Sequence, residues 1–234
     1  MHFKHKSLWL LCFLSGFLFL SGCQGVYFKG ETAEKVVALT LDDGPDPVYT
    51  PQVLDILERF QVKATFFLIG RQAQVHPELV RAIKDRGQAI GNHSQNHHFY
   101  LSWLGPERMR AEVLDTQEVI FQINGEYPRY FRAPLGWVSS ELVALCRELK
   151  LPIINGSIKA GDVSNPGTDQ IVEAVLSRVQ NGDIIILHDA GGVEGYRNRR
   201  QTLEALPIII ERLKEKGYQF VFLDELIYVP SENR

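Results

Sequence analysis

Short apolar runs alternate with helical patterns along most of this chain, and this alternation limits its fold more than any other feature. Apolar runs of strand length lie at 36–39, 64–69, 88–92, 129–132, 152–154, 183–187 and 219–222. Segments with helical periodicity lie at 51–60, 77–85, 106–123, 139–149, 169–179 and 201–216. Strands that are apolar throughout, such as 184–187, are typical of a parallel sheet covered on both faces. About seven strands predict an α/β fold, a complete or distorted (β/α) barrel, with a doubly wound open sheet as the alternative.

The composition is that of a globular protein large enough for one such domain. The 234 residues are 45% hydrophobic and 23% charged, with a formal net charge of −3. Nothing in that balance resembles the basic surface of a nucleic-acid-binding protein. Cys146 lies in a helical pattern and cannot form a disulfide framework alone. We expect a monomer without a nucleic-acid partner, stabilised by its apolar core.

The first 34 residues are expected to lie outside the folded domain. Lys4 and Lys6 precede an apolar stretch at 8–20 that is too short to span a membrane and is typical of a signal peptide. It ends in Leu-Ser-Gly-Cys, which resembles a bacterial lipobox. We expect a signal peptide at 1–22, lipidation of Cys23, a tether at 23–34 and a folded domain at 35–230. The anchored protein would face outside the cytoplasm in a bacterial cell envelope; a plain secretory signal or an uncleaved anchor is the alternative.

Two adjacent carboxylates, Asp42 and Asp43, end the first apolar strand and are followed by Gly44 and Pro45. Glycine and proline interrupt strands and helices alike. Adjacent carboxylates repel each other and lose solvation when they are buried, so a metal cation often stabilises such a pair. The alternative interpretation is an ordinary Asx-turn at the end of a strand.

His93 and His97 are four residues apart and could bind one metal from the same face of a helical turn. With Asp43 they make an Asp-His-His set. Three protein ligands plus water are usual at catalytic zinc, and the same ligand types hold non-haem Fe(II). Histidine-rich loops without metal are also common, and His98 is interpreted as a loop residue.

Several polar residues share one predicted position, the carboxyl end of a strand. They are Asp42, Asp43, His93, Arg132 and His188. Active sites of α/β barrels are built on that face. Arg132 could hold a carboxylate of the site in place, or it could form a surface salt bridge. His188 suits a general acid or a core histidine bonded to backbone.

The motifs occur in the order Asp-Asp-Gly-Pro at 42–45, His-x-x-x-His at 93–97, Arg-x-Pro at 132–134, Asp162 and Leu-His at 187–188. This order and spacing closely resemble the polysaccharide deacetylases, carbohydrate esterase family 4. The resemblance extends from Val36 to Leu226. It implies a distorted (β/α) barrel and metal-dependent removal of N-acetyl or O-acetyl groups from glycans.

The resemblance also implies roles for individual residues. Asp42 would be the catalytic base, oriented by Arg132. His188 would be the general acid, with Asp162 as its carboxylate partner. The metal ligands, with zinc as the expected ion, would be Asp43, His93 and His97.

Substrate contacts are implied in the same way. The backbone N–H of Leu135 would bind the oxyanion, and Leu187 would lie beside the acetyl methyl group. Where the family commonly has tyrosine, this chain has Leu135, and this change keeps the backbone N–H donor. Where the family often has tryptophan, this chain has Val163, and the loss of tryptophan changes one wall of the substrate groove. Apart from the resemblance, three aromatic residues could stack on sugar rings or serve local packing; they are Trp137, Tyr100 and Trp103.

The substrate is expected to be the N-acetylglucosamine of peptidoglycan. Chitooligosaccharide, exported poly-N-acetylglucosamine and acetylated xylan are the alternatives. A glycan-binding lipoprotein without activity is an alternative of another class, but it should have lost Asp42 or His188. An Fe(II) oxygenase is disfavoured by the carboxylate pair and the barrel pattern.

Overall fold

The structure, a computed structural model, describes residues 25–191 and 198–227. The predicted signal peptide and Cys23 lie outside the described residues. The strands are β1 (Val26–Tyr27), β2 (Val36–Asp42), β3 (Ala64–Leu68), β4 (Ala89–Asn92), β5 (Ile153–Ile154), β6 (Ile158–Lys159), β7 (Ile184–His188) and β8 (Gln219–Phe220). The helices are α1 (Tyr49–Phe60), α2 (Gly70–Val75), α3 (Pro77–Asp85), α4 (Pro106–Asn124), α5 (Ser140–Glu148), α6 (Thr168–Leu176), α7 (Arg200–Glu215) and α8 (Leu223–Leu226). None of the helices in the described ranges combines the length and apolarity needed to cross a bilayer.

Parallel pairing joins these strands around one interior. β4, β3, β2, β7 and β6 form a sheet in that order, and β8 pairs with the first residues of β2. β1 and β5 form a second parallel pair. Phe131 bridges Asn92 of β4 to Ile153 of β5 and so connects the two sheets. The predicted α/β fold with parallel strands is confirmed. In the described ranges no ladder joins the β1–β5 pair to β6, so the strands form an incomplete barrel.

Side chains alternate across β2 and β7, and the two faces have different roles. One face packs on the surrounding helices, including α1, α6 and α7, and carries Leu39, Leu41, Ile185 and Leu187. Ala38 and Ile184 lie on the other face, which points into the barrel. Fully burying one large aliphatic side chain stabilises a fold by about 1.5–3 kcal/mol. The helix-facing core therefore holds β2 and β7 rigidly and fixes which of their residues point inward.

Several elements differ from the sequence prediction. The predicted strand at 129–132 is reduced to the Phe131 bridge, although Arg132 N still donates to Asn92 O. The prediction does not include β1, β6, α2 or α8. β6 has two residues and α2 has the polar sequence Gly-Arg-Gln-Ala-Gln-Val, so neither shows a clear apolar period.

Residues 25–30, expected to belong to a tether, pack against the domain. Ile153 N donates to Gly25 O, and Gly30 N donates to Gly182 O. A Cβ atom on Gly30 would lie 2.3 Å from the carbonyl oxygen of Leu226, so this close approach requires glycine. The folded unit therefore includes residues N-terminal to the expected boundary at residue 35.

Candidate active site

The carboxyl ends of β2, β4 and β7 meet at one cavity. Asp42 and His188 end their strands side by side, in the same register position. His93 directly follows β4, and Arg132 directly follows the Phe131 bridge. The cavity has a volume of about 640 Å³. The structure thus brings the predicted strand-end residues together at the mouth of the barrel.

Asp43, His93 and His97 each present one ligand atom within 4.8 Å of the others. Asp43 Oδ1 lies 3.5 Å from His93 Nε2 and 3.2 Å from His97 Nε2. His93 Nδ1 lies 2.8 Å from the carbonyl oxygen of Arg132, and donating to it leaves Nε2 free as a ligand. Burial raises the pKa of Asp43, but His93, His97 and the charge of His188 outweigh burial and hold this pKa well below its usual value. An ionised carboxylate beside two free imidazole nitrogens fits a divalent metal.

The two histidines lie on a loop, and the expectation of a helical turn was wrong. Ser94 and His97 have left-handed φ angles of 64° and 55°. Asn92 Oδ1 accepts the N–H of Ser94 at 2.9 Å, and Ser94 Oγ accepts the N–H of His97 at 3.1 Å. These side-chain bonds fold the loop so that the rings of His93 and His97 have centroids 4.9 Å apart. Left-handed residues other than glycine are strained, and such strain is concentrated at functional sites.

Arg132 clamps Asp42 inside the barrel. Its Nη1 donates to Asp42 Oδ1 at 2.5 Å and to Thr40 Oγ1 at 2.8 Å, and its Nε donates to Ile154 O at 2.9 Å. The guanidinium lies 4.0 Å from the ring centroid of Phe67. Burial lowers the pKa of Arg132, while the charge and hydrogen bond of Asp42 oppose that shift. Arg132 and Asp42 are only 1% and 4% exposed, so the surface salt bridge considered from sequence is excluded.

Asp162 holds both the ring and the backbone of His188. Its Oδ1 lies 2.9 Å from His188 Nδ1, and its Oδ2 accepts the backbone N–H of His188 and the hydroxyl of Thr202. Burial raises the pKa of Asp162, but the His188 charge and these hydrogen bonds lower it overall. Burial lowers the pKa of His188, but Asp162, and then Asp43 and Asp42, raise it to about 9. The raised pKa favours the charged imidazolium at neutral pH, and His188 lines the cavity.

The Pro134–Gly136 turn forms one edge of the cavity. Leu135 and Gly136 have left-handed φ angles of 58° and 74°. Asn155 Nδ2 donates to Gly136 O at 3.2 Å, and Lys159 Nζ lies 3.4 Å from Leu135 O. A Cβ atom on Gly136 would lie 3.0 Å from Asn155 Oδ1. The turn is therefore held by side chains from β6 and the segment before it, and it brings the Leu135 backbone to the cavity whatever its side chain.

Leu187 does not reach the cavity, and the expected contact with an acetyl methyl group is wrong. Leu187 is completely buried on the helix-facing side of β7. Its neighbours Ile186 and His188 line the cavity, because side chains of a strand alternate between faces. Ile186 is the apolar side chain that β7 presents to the cavity. Trp137 lies just beyond the Pro134–Gly136 turn and packs against Trp103.

A buried carboxylate that sequence reasoning missed lies beneath the Asp-Asp-Gly-Pro motif. Asp189 is fully buried, and one of its oxygens accepts the hydroxyl of Thr50. Burial raises the pKa of Asp189 to about 7. A Cβ atom on Gly44 would lie 2.7 Å from both Asp189 carboxylate oxygens. Asp189 thus packs directly on the turn that follows Asp43, and its position next to His188 was the available sequence signal.

Arg199 is a second missed residue. It is 1% exposed, lines the cavity and donates from Nε to Ala190 O at 2.6 Å. Its Nη1 has no hydrogen-bond partner among the described residues. Three arginines occur within residues 197–200, so the sequence alone does not indicate that one of them is buried.

Comparison with known proteins supports the same class. The polysaccharide deacetylase family model matches residues 29–154. A peptidoglycan-N-acetylglucosamine deacetylase of Bacillus cereus is 39% identical over 196 residues, covering 83% of this chain and 89% of its own length. A chitooligosaccharide deacetylase of Sinorhizobium fredii is 37% identical and covers 81% of this chain and 91% of its own length. The crystal structure of the Bc1960 peptidoglycan N-acetylglucosamine deacetylase matches with a TM-score of 0.82 and 32% identity, covering 87% of this chain and 93% of that one.

The fold and the cavity define a metal-dependent hydrolase whose site lies at the carboxyl ends of parallel strands. The chain belongs to the polysaccharide deacetylase family, carbohydrate esterase family 4.

Proposed function

We propose that this protein uses a divalent metal, zinc, to remove N-acetyl groups from the N-acetylglucosamine units of peptidoglycan. The observation that carries this proposal is one cavity in which three groups face each other. They are the Asp43, His93 and His97 cluster, the buried Asp42–Arg132 pair and the Asp162–His188 pair.

The three clustered residues are proposed as the metal ligands. The free Nε2 atoms of His93 and His97 and the carboxylate of Asp43 match the donor types that zinc prefers. When bound, the ion supplies Lewis-acid polarisation of the acetyl carbonyl and a lowered pKa for a water molecule.

Asp42 is proposed as the general base. Its Oδ1 is held by Arg132, and its Oδ2 lies 4.0 Å from His93 Nε2, which places that oxygen next to the proposed metal ligands. Asp42 would take a proton from the water molecule that attacks the acetyl carbon. The N–H of Leu135 would donate to the carbonyl oxygen as negative charge develops on it.

His188 is proposed as the general acid. The carbon–nitrogen bond breaks as His188 Nε2 donates a proton to the departing nitrogen, so the products are acetate and a free amine on the sugar. The Asp162 charge favours the protonated ring, which is the form that this step requires.

Peptidoglycan is preferred as the substrate because relatives with that name include the 39% identical Bacillus cereus protein. The 37% identical Sinorhizobium fredii protein carries the name chitooligosaccharide deacetylase, so chitooligosaccharide is the second candidate. Both glycans contain the same reacting group, and the chemistry proposed for the cavity would be the same.

Lipidation at Cys23 is proposed as the anchor in the cell envelope. The sequence at 20–23 and the preceding apolar stretch support it. Two or more acyl chains on one residue would give stable membrane attachment, since each buried methylene contributes about 0.8 kcal/mol.

Acetate release tests the activity directly. Metal-loaded protein is incubated with purified peptidoglycan strands, chitohexaose and acetylated xylan, and acetate is measured with time. We expect the fastest release from peptidoglycan and a loss of at least about 100-fold in Asp42→Asn. Asp115→Asn, which changes an exposed carboxylate on α4, is the matched control and should keep full activity. A metal-loaded wild type that releases no acetate from any substrate would favour the non-catalytic glycan-binding protein.

A further inference from the structure

A pair of exposed tryptophans lies beside the cavity mouth, outside the residues that line the cavity. Trp103 is 68% exposed and Trp137 is 48% exposed. Their ring centroids are 5.2 Å apart and their planes meet at 84°. The two indoles therefore form a corner with two apolar walls open to solvent.

The corner lies next to the cavity, on the same two chain segments that line part of it. Trp137 directly follows Gly136, and Trp103 lies three residues beyond Tyr100; both Gly136 and Tyr100 line the cavity. Ser102 ties the two segments together, because its hydroxyl donates to Trp137 O at 2.7 Å and accepts the N–H of Ser139 at 3.2 Å. The two backbone segments that carry the tryptophans are thus joined to each other.

We propose that the Trp103–Trp137 corner is a sugar-binding subsite that holds a glycan unit next to the reacting one. This inference rests on the proposed function, in which the substrate is a polymer. A polymer whose reacting unit occupies the cavity must cross the rim, and the corner continues that rim. The faces of a pyranose ring carry C–H groups, which pack on flat indole surfaces and remove them from water.

Chain-length dependence is the first test. Deacetylation of the N-acetylglucosamine dimer and hexamer is compared in wild type, Trp103→Ala and Trp137→Ala. A lost stacking contact of this kind raises KM for the hexamer about 3- to 10-fold, with a clearly smaller effect on the dimer. Tyr127→Ala is the matched control, since Tyr127 is 53% exposed and stacks on Phe121 away from the cavity. Equal losses on both substrates, or no loss on either, would overturn the proposal.

Binding can be followed without catalysis. The chain has three tryptophans, and the third is Trp9 in the expected signal peptide. In full-length protein carrying Trp9→Phe and Asp42→Asn, all tryptophan fluorescence comes from the corner. Chitohexaose should shift that emission saturably, and the dimer should shift it much less. A shift without wild-type acetate release would support the subsite and refute the proposed function. A shift with phosphatidylglycerol vesicles but none with chitohexaose would show that the corner contacts membrane and would overturn the subsite.

Discussion

The contact between Asp162 and His188 determines how the proposed general acid responds to pH. Burial by itself lowers the pKa of His188, yet this pKa is raised from 6.5 to about 9. The largest opposing contribution is the charge of Asp162, whose Oδ1 lies 2.9 Å from His188 Nδ1. Replacing Asp162 with asparagine removes this charge while nearly preserving the shape of the side chain. We expect the pKa of His188 to fall toward its ordinary value.

The size of the effect follows from the two pKa values. At pH 8 a group with a pKa of about 9 is roughly 90% protonated, whereas a group at 6.5 is roughly 3% protonated. A general acid acts only in its protonated form, so kcat/KM of Asp162→Asn at pH 8 should fall about 30-fold. The alkaline limb of the pH profile should move down by about 2.5 pH units. The acid limb should stay near its wild-type position.

The assay is acetate release against pH for both proteins, with bound metal measured in each sample. Thr202→Val is a graded control, because it removes only the hydroxyl that donates to Asp162 Oδ2 and leaves the charge in place. Its alkaline limb should move far less. His188→Ala should lose most activity at every pH. An alkaline limb that does not move in Asp162→Asn, at unchanged metal content, would refute the assignment of His188 as the titrating acid.

Three further predictions have distinct expected outcomes. Asp43→Ala should lose most bound zinc, whereas Asp42→Asn should keep the metal and lose acetate release. Zinc content is measured in both variants. If Asp42→Asn were the variant without zinc, the roles of the two carboxylates would be reversed. Gly44→Ala should destabilise the fold by about 1–3 kcal/mol, because its Cβ would lie 2.7 Å from both oxygens of Asp189, and an unchanged midpoint in urea unfolding would contradict this. Cys23→Ser should abolish lipidation, so detergent partitioning that is the same in wild type and variant would exclude the proposed anchor.

The meeting of the strand-end residues could be predicted from sequence because it depends on chain topology. Parallel strands joined by helices all end on the same side of a sheet. Asp42, His93 and His188 each follow an apolar run, so their convergence required no knowledge of side-chain packing. The motif order then identified the family, which the comparisons confirm.

Other features depend on three-dimensional detail that a linear pattern does not contain. Leu187 and Ile186 are both apolar, and only the direction of the barrel interior decides which one faces the cavity. The loop at 93–97 brings two rings together through bonds from Asn92 and Ser94, which a helical spacing rule cannot anticipate. The burial of Arg199 depends on the residues that pack around it in the fold. The sequence does not indicate this burial, because neighbouring residues in the sequence are also arginines.

The pairing of β1 with β5 limits how far an anchored enzyme could reach. Val26 is fixed against Ile153 and lies three residues beyond Cys23. A fully extended chain spans at most about 3.6 Å per residue, so a lipid on Cys23 would hold the domain within about 10 Å of the bilayer surface along this connection. The barrel mouth could not move far outward on a long flexible tether. Glycan strands close to the membrane would be accessible to it, and strands deep in a thick wall would be beyond its reach.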